Sequence, residues 1–117
     1  MYGAHSNNRC PPGYGKLDVL GKGGCAVVWL GLDRRTREKV AIKQFPKCSK
    51  NESNYHSGLA EVKIARSFYQ PGGEPHEAYK DHPGLESMCK LLAHSEDKND
   101  LWLVYELCGK PLSKLLF

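Results

Sequence analysis

The sequence predicts an α+β domain in which a five-stranded antiparallel sheet packs against one main helix. Five short apolar runs are separated by turn residues, and one longer run repeats its apolar positions with helical spacing. The links within neighbouring strand pairs are too short for the crossover that parallel strands need, so the sheet should be antiparallel. A content of 40% hydrophobic and 26% charged residues in 117 residues is typical of one small globular domain.

The first three predicted strands follow one another closely. They are "YGKLDVLGKG" at 14–23, "CAVVWLGLD" at 25–33 and "KVAIKQF" at 39–45. Glycines form the first turn, and the polar residues "RRTREK" form the second. Pro46 should end the third strand, because proline has no N–H to donate to a neighbouring strand.

The main helix is predicted over "LAEVKIARSFY" at 59–69. Its apolar positions recur every three or four residues, so that one face can pack on the sheet. These positions are Leu59, Val62, Ala65 and Phe68 or Tyr69. We interpret "SKNESNYHSG" as capping and breaking residues before the helix, and "QPGGEP" as its end. A long polar loop follows over 70–86.

The fourth and fifth strands are predicted in "SMCKLLAHSED" and "NDLWLVYEL", with a tight turn at "DKN". "CGKP" then interrupts the apolar run, and "LSKLLF" begins a second helix that stops at Phe117. We therefore expect a flexible segment over 1–13 and a domain over 14–117 that is truncated at the start of this helix. Because nothing downstream covers the apolar "LLF", we expect the domain to be incomplete.

Charge and hydropathy argue against two classes of partner. The net charge is a mild +4, and the densest basic run, "DRRTREK", contains no aromatic residue. A solvated turn therefore explains this run better than a nucleic-acid patch. No apolar run approaches the roughly 20 residues that span a bilayer. The N-terminus also lacks the charged start and apolar core of a signal peptide.

The five cysteines are odd in number and include no CxxC pair. This pattern argues against a zinc site and against a disulfide framework. Several cysteines lie in apolar contexts, where the free thiol behaves as a small hydrophobic side chain. We therefore expect a reducing intracellular compartment, either cytoplasmic or nuclear.

The stretch "LGKGGCAVVWLG" at 20–31 interrupts a strand with Gly21, Gly23 and Gly24. Glycine weakens a strand and gives up packing. One explanation is that another molecule lies close to the backbone at this turn. The alternative is an ordinary glycine-rich hairpin, and the stretch alone does not decide between them.

Lys43 is embedded in the apolar strand "VAIK". Strand alternation puts Lys43 and Ala41 on the same face, so an inward Ala41 implies an inward ammonium. A buried ammonium needs a partner, and Glu61 on the following helix is a candidate. The alternative is a surface lysine whose stem lies along the sheet.

The glycine turn, "VAIK", the helix glutamate and "LVYEL" occur in the order and spacing of a protein-kinase N-terminal lobe, which the chain resembles over about 14–117. The loop matches the glycine-rich pattern at Gly21, Gly23 and Val28. It departs from the pattern at Ala26, which replaces the third glycine, and at Cys25, where an aromatic residue is common.

The resemblance implies that the chain binds ATP. The residues it assigns to the nucleotide are Leu20, Gly21, Lys22, Gly23, Gly24, Cys25, Ala26, Val28, Ala41, Lys43, Tyr105, Glu106 and Cys108. Backbone N–H groups of the turn would approach phosphate oxygens, and Leu20, Val28 and Ala41 would cover the adenine. Lys43 would contact the α and β phosphates, oriented by Glu61, and these two are the expected catalytic residues of this chain.

At the other end of the expected site, Tyr105 would set the depth of the nucleotide pocket. The Glu106 carbonyl and the Cys108 backbone would bond the adenine edge. The stretches "VVWLGLD" and "LVYELCGKPLSKLL" are similar to those of the SR-protein kinases, in the wider group of cyclin-dependent and MAP kinases.

The catalytic loop and the D-F-G segment have no match in the sequence. The catalytic base and the Mg²⁺ ligands should therefore lie outside this chain. The resemblance implies a kinase that transfers the γ-phosphoryl of ATP to protein hydroxyls, with Ser/Thr favoured, present here as an incomplete fragment. The alternative is a catalytically inactive short product that binds a regulator.

Overall fold

The computed structural model describes residues 9–24, 26–47, 52–77 and 89–107. These residues form five strands and one helix: β1 (Tyr14–Lys22), β2 (Val27–Asp33), β3 (Lys39–Pro46), α1 (Glu52–Phe68), β4 (Leu91–Glu96) and β5 (Asp100–Glu106). The predictions for Cys25, Cys108 and the second helix fall outside the described residues.

The five strands form one sheet in the order β1-β2-β3-β5-β4, and every neighbouring pair is antiparallel. The predicted fold class is confirmed. β5 lies between β3 and β4, so the last strand of the described chain is an interior strand rather than an edge. Its first six residues are all buried, as expected of a strand with neighbours on both sides and cover on both faces.

Both faces of the sheet carry a core, and strand alternation separates them. Ala41 and Phe45 of β3 pack on the face towards α1, together with Leu101 and Leu103 of β5. Val40, Ile42, Trp102 and Val104 pack on the opposite face. The inward Ala41 places Lys43 on the helix face, as the strand pattern predicted.

On the face away from α1, the N-terminal segment adds an ion pair between a buried carboxylate and a partly exposed arginine. The Arg9 guanidinium lies 2.5 Å from the Asp100 carboxylate, whose side chain is 2% exposed. The second Asp100 oxygen accepts a hydrogen bond from Gln44. The Lys16 ammonium lies 4.2 Å from the ring centroid of Trp29. These contacts join β1, β2, β3 and β5 across this face, and none was predicted from the sequence.

Helix α1 begins at Glu52, so the interpretation of 49–58 as capping and breaking residues was wrong from Glu52 onward. The segment includes Gly58, whose lack of a side chain lets the helix approach the sheet. A Cβ at Gly58 would lie 2.6 Å from Leu101 Cδ2 and 2.8 Å from Phe45 Cγ. Tertiary packing here overrides the low helix propensity of glycine.

The buried face of α1 is also rotated from the predicted one. Leu59, predicted to face the sheet, is 39% exposed. Ala65 is buried, and Tyr55 and Val62 pack against the core, so the inward positions fall in line with Gly58. Tyr69 is buried just beyond the last helical turn.

The remaining strand bounds differ by a few residues from the predictions. β2 starts at Val27, and β4 starts at Leu91 instead of near 87. Just before β4, Lys90 exchanges hydrogen bonds with Glu106: its N–H donates to the side chain, and its carbonyl accepts from the Glu106 N–H. Pro46 is the last residue of β3, paired with Asp100.

Cys89 is disulfide-bonded. The cysteine pattern argued against a disulfide framework, so this bond was not predicted from the sequence. Cys10 is a free thiol, and burial raises its pKa.

In the part of the chain that the structure describes, no helix combines the length and apolar character needed to cross a membrane.

Replacing Gly58 with alanine should destabilise the fold although alanine favours helices. The helix propensity gains about 1 kcal/mol, but overpacking against Leu101 and Phe45 costs about 1–3 kcal/mol. Urea denaturation of Gly58→Ala should therefore show a net loss of unfolding free energy. Ser57→Ala, on the exposed neighbouring position, is the matched control. A Gly58→Ala protein at least as stable as the wild type would contradict this packing argument.

Candidate functional site

Lys43 lies in the middle of β3 with its side chain 1% exposed. Its cross-strand neighbours are Val28 of β2 and Leu103 of β5, both fully buried. The Nζ atom donates a hydrogen bond of 2.8 Å to Glu61 Oε1. The predicted ion pair is therefore present, and it supplies the partner that a buried ammonium requires.

Glu61 reaches the sheet from the middle of α1, and its side chain is 21% exposed. Oε1 accepts from Lys43, and Oε2 accepts a hydrogen bond from the Tyr105 hydroxyl. Both oxygens of the carboxylate are thus engaged from the sheet side. A carboxylate held at both oxygens has a fixed plane as well as a fixed position.

Tyr105 lies near the end of β5, opposite Ala41 of β3. Burial raises the pKa of its phenol, and the charge of Glu61 and the hydrogen bond to it act in the same direction. The hydroxyl therefore stays protonated and donates to the carboxylate. The kinase resemblance implies that Tyr105 sets the depth of a nucleotide pocket, but it did not predict this contact. Its alternation with Leu103 would have placed it beside Lys43 had the pairing of β3 with β5 been known.

The glycine turn joins β1 to β2. Gly21 pairs with Val28 after a bulge in β1, and the Gly23 N–H donates to the Ala26 carbonyl at 2.9 Å. A Cβ on Gly24 would meet no atom within 4 Å. Among the described glycines, positive φ occurs at Gly13, Gly72 and Gly73, outside this turn. The turn glycines are thus not explained by a left-handed backbone, and the space beside Gly24 is open.

The other described residues that were predicted to contact the nucleotide differ in exposure. Ala26, Val28 and Ala41 are buried on the face that carries Lys43. Leu20 is 37% exposed and Lys22 is also exposed. The Glu106 side chain accepts the backbone N–H of Lys90 at 2.9 Å, so its carboxylate is engaged at the β4 edge.

Arg66 anchors the C-terminal end of α1. Its guanidinium donates to the carbonyls of Leu91 at 3.2 Å and Gln70 at 3.3 Å, and lies 3.3 Å from His94 Nδ1. Because arginine only donates, Nδ1 accepts and the His94 ring is neutral. Burial, followed by the charge of Arg66, lowers the pKa of His94, while Glu96 opposes the shift. No motif or spacing in the sequence signals this contact.

Among residues 9–24, 26–47, 52–77 and 89–107, no group of three His, Cys, Asp or Glu side chains is placed to hold a metal ion. The carboxylate beside Lys43 belongs to Glu61 and has both oxygens engaged. The described residues thus do not fit a Mg²⁺ site.

Curated relatives support the kinase resemblance. Mitogen-activated protein kinase 15 of Rattus norvegicus is 29% identical over 97 residues, covering 83% of this chain and 16% of the relative. Mitogen-activated protein kinase 2 of Oryza sativa subsp. japonica is 27% identical over 113 residues, which cover 95% of this chain and 25% of the relative. Mitogen-activated protein kinase 19 of Arabidopsis thaliana is 31% identical over 103 residues, which cover 88% of this chain and 16% of the relative.

The resemblance to a protein-kinase small lobe is confirmed. The five-stranded sheet with one helix fits that lobe, and the MAP kinases match it in sequence. No protein-family model matches the chain. This kinase-like lobe spans between 16% and 25% of the length of these three relatives.

Replacing Glu61 and replacing Lys43 should lower the free energy of unfolding by unequal amounts. Glu61→Gln leaves a fully buried ammonium without a carboxylate, which should cost about 3 kcal/mol or more of unfolding free energy. Lys43→Met leaves a carboxylate that is partly exposed and still bonded by Tyr105, so we expect a loss of about 1 kcal/mol. Chemical denaturation of both variants measures the difference. Equal losses, or a larger loss for Lys43→Met, would contradict the geometry of the pair.

His94 should make the stability of the lobe depend on pH. Its pKa in the folded state is lowered from the ordinary value of a histidine, so the unfolded chain binds the proton more readily. The contribution of neutral His94 is therefore present above the unfolded pKa and is lost as the pH falls through the lowered folded pKa. Between about pH 8 and about pH 5, the wild type should lose more stability than His94→Gln.

His56→Gln, which changes an exposed histidine of α1, is the control for this pH series. It should follow the wild-type curve. If His94→Gln also follows the wild-type curve, then folding does not lower the pKa of His94, and this prediction is wrong.

Proposed function

We propose that the domain over 14–117 is the ATP-binding lobe of a protein kinase that transfers the γ-phosphoryl of ATP to protein hydroxyls, with Ser/Thr favoured. The observation that carries this proposal is the buried Lys43–Glu61 ion pair on the helix face of the sheet. The similarity to MAP kinases supports it. The chain spans 16% and 25% of the length of those two relatives, and the activity is proposed for a protein that contains this lobe together with the remaining catalytic groups.

Lys43 is suited to hold phosphate. An ammonium has three N–H donors, and the hydrogen bond to Glu61 uses one of them. The remaining two can bond oxygens of the α and β phosphates, and the positive charge offsets part of their negative charge. Glu61 fixes the direction of the ammonium, so that little side-chain freedom is lost when the nucleotide binds.

The glycine turn supplies the second contact to the phosphates. Its backbone N–H groups are donors, and the open space beside Gly24 allows a close approach. Leu20, Val28 and Ala41 supply apolar contact for the adenine. Tyr105 limits the depth of the pocket. The backbone of Glu106 and Cys108 bonds the adenine edge in this proposal, and Lys22, Gly21, Gly23, Cys25 and Ala26 complete the loop.

Phosphoryl transfer also needs a base and Mg²⁺, which neutralises charge on the phosphates. The described residues do not fit the metal, and the sequence has no catalytic-loop or D-F-G match. The proposal therefore gives this lobe the task of binding and orienting ATP and leaves the base and metal ligands to other residues. The proposal includes ATP and a protein substrate as partners, and a cytoplasmic or nuclear location as the cysteine pattern suggested.

A nucleotide titration followed by NMR tests the proposal on the chain itself. Mg-ATP should shift the amide signals of Gly21, Gly23 and Gly24 and of the strand around Lys43. We expect a dissociation constant of about a millimolar or weaker, because the lobe supplies only part of the binding cleft. Lys43→Met should remove the shifts, since it removes the positive charge that bonds the phosphates.

Lys47→Met is the matched control for this titration. Lys47 follows directly after β3, and its ammonium pairs with Glu96, not with Glu61. The variant should keep the wild-type response. Shifts that avoid the turn and the Lys43 strand would refute the proposed site. Binding tighter than about a micromolar would contradict the weak affinity expected of the lobe alone.

A further inference from the structure

Three elements meet at the Glu61 carboxylate. Lys43 comes from β3, Glu61 from α1 and Tyr105 from β5, and two hydrogen bonds connect them in a chain. The ion pair accounts for one oxygen of the carboxylate. The bond from Tyr105 to the other oxygen has no part in the function proposed above.

We propose that Tyr105 is a positioning residue: its hydroxyl holds the Glu61 carboxylate in the orientation that presents the Lys43 ammonium to the nucleotide. This inference rests on the proposed function of the same site. It assigns to Tyr105 a role through Glu61 in addition to that of limiting pocket depth.

The environment of Tyr105 suits a permanent donor. The residue is 7% exposed, so water competes weakly for its hydroxyl. Burial and the adjacent Glu61 raise the pKa of the phenol, with Arg66 acting in the opposite direction. The hydroxyl therefore carries its proton at neutral pH and can donate it to the Glu61 carboxylate.

The register of the sheet explains why Tyr105 can reach the same carboxylate as Lys43. Lys43 lies opposite Leu103, and Tyr105 is two residues further along β5 on the same face. Diagonal neighbours on one face of a sheet are within reach of long side chains. The Lys43 ammonium and the Tyr105 hydroxyl can therefore both reach the Glu61 carboxylate.

The second bond matters most when a nucleotide competes for Lys43. Phosphate oxygens attract the ammonium away from Glu61, and a carboxylate held by lysine alone could rotate with it. With Tyr105 on Oε2, Glu61 stays in place and continues to direct Lys43. Because Tyr105 belongs to β5, it also fastens α1 to the strand that leads into the proposed adenine contacts.

Lysine acetylation measured by mass spectrometry tests this role without a nucleotide. The rate at Lys43 is divided by the rate at Lys98, an exposed lysine in the β4–β5 turn. Tyr105→Phe removes the hydroxyl and keeps the ring. Because Glu61 then loses one of its two hydrogen bonds and pairs less firmly with the Lys43 ammonium, the ratio should rise about tenfold.

Tyr55→Phe is the matched control, because it removes a tyrosine hydroxyl that bonds Glu96 between α1 and β4. It loosens the same helix at another point and should leave the ratio within about twofold of the wild type. Equal increases in Tyr105→Phe and Tyr55→Phe would mean that Tyr105 acts through general stability, and this result would overturn the proposal. An unchanged ratio in Tyr105→Phe would also overturn it.

A second measurement covers the case in which Tyr105→Phe does not fold. In wild-type protein labelled with ¹³C at tyrosine Cζ, the Tyr105 signal should stay constant up to about pH 11, whereas an ordinary phenol titrates near pH 10. A Tyr105 signal that titrates near pH 10 would overturn the proposal. Neither measurement uses ATP, so failure here leaves the nucleotide titration as an independent test of the proposed function.

Discussion

The burial of the Lys43 ammonium is the constraint on which the arrangement of this lobe depends. A charge in the middle of a sheet, between Val28 and Leu103, is tolerated only beside an opposite charge. That charge must come from another element, because both neighbouring strands supply apolar residues at this level. Glu61 supplies it from α1, so the ion pair fixes where the helix lies along the sheet.

The close approach of α1 makes this ion pair geometrically possible. Gly58 lies one turn before Glu61 and brings the helix backbone against Phe45 and Leu101. Arg66 holds the opposite end of the helix through carbonyls of the loop and of β4. Glu61 lies between these two attachments, which restrict how far its carboxylate can move from Lys43.

The Glu61 carboxylate connects the parts of the site proposed to bind different portions of ATP. Lys43, on β3, faces the phosphates, and Tyr105, on β5, lies beside the proposed adenine contacts. A hydrogen-bonded group shared by two strands and a helix responds to a change at any of the three. On the opposite face of the sheet, the Arg9–Asp100 pair and the Lys16–Trp29 contact connect the strands. The sheet that carries the site is therefore covered on both faces.

The sequence by itself determined the five strands, their antiparallel pairing and the placement of Lys43 on the same face as Ala41, because alternation and short turns are local properties of the chain. Whether that face points inward was left open by the sequence and decided by the packing of α1 on the sheet. It also supplied Glu61 as the partner, through the resemblance and the spacing. Only the tertiary structure decided the start of α1 at Glu52, the exposure of Leu59, the place of β5 inside the sheet and the bond from Tyr105 to Glu61. Each depends on contacts between residues far apart in sequence: Gly58 is a helix breaker locally but a packing contact against β3 and β5, and Tyr105 meets Glu61 only when those strands are paired.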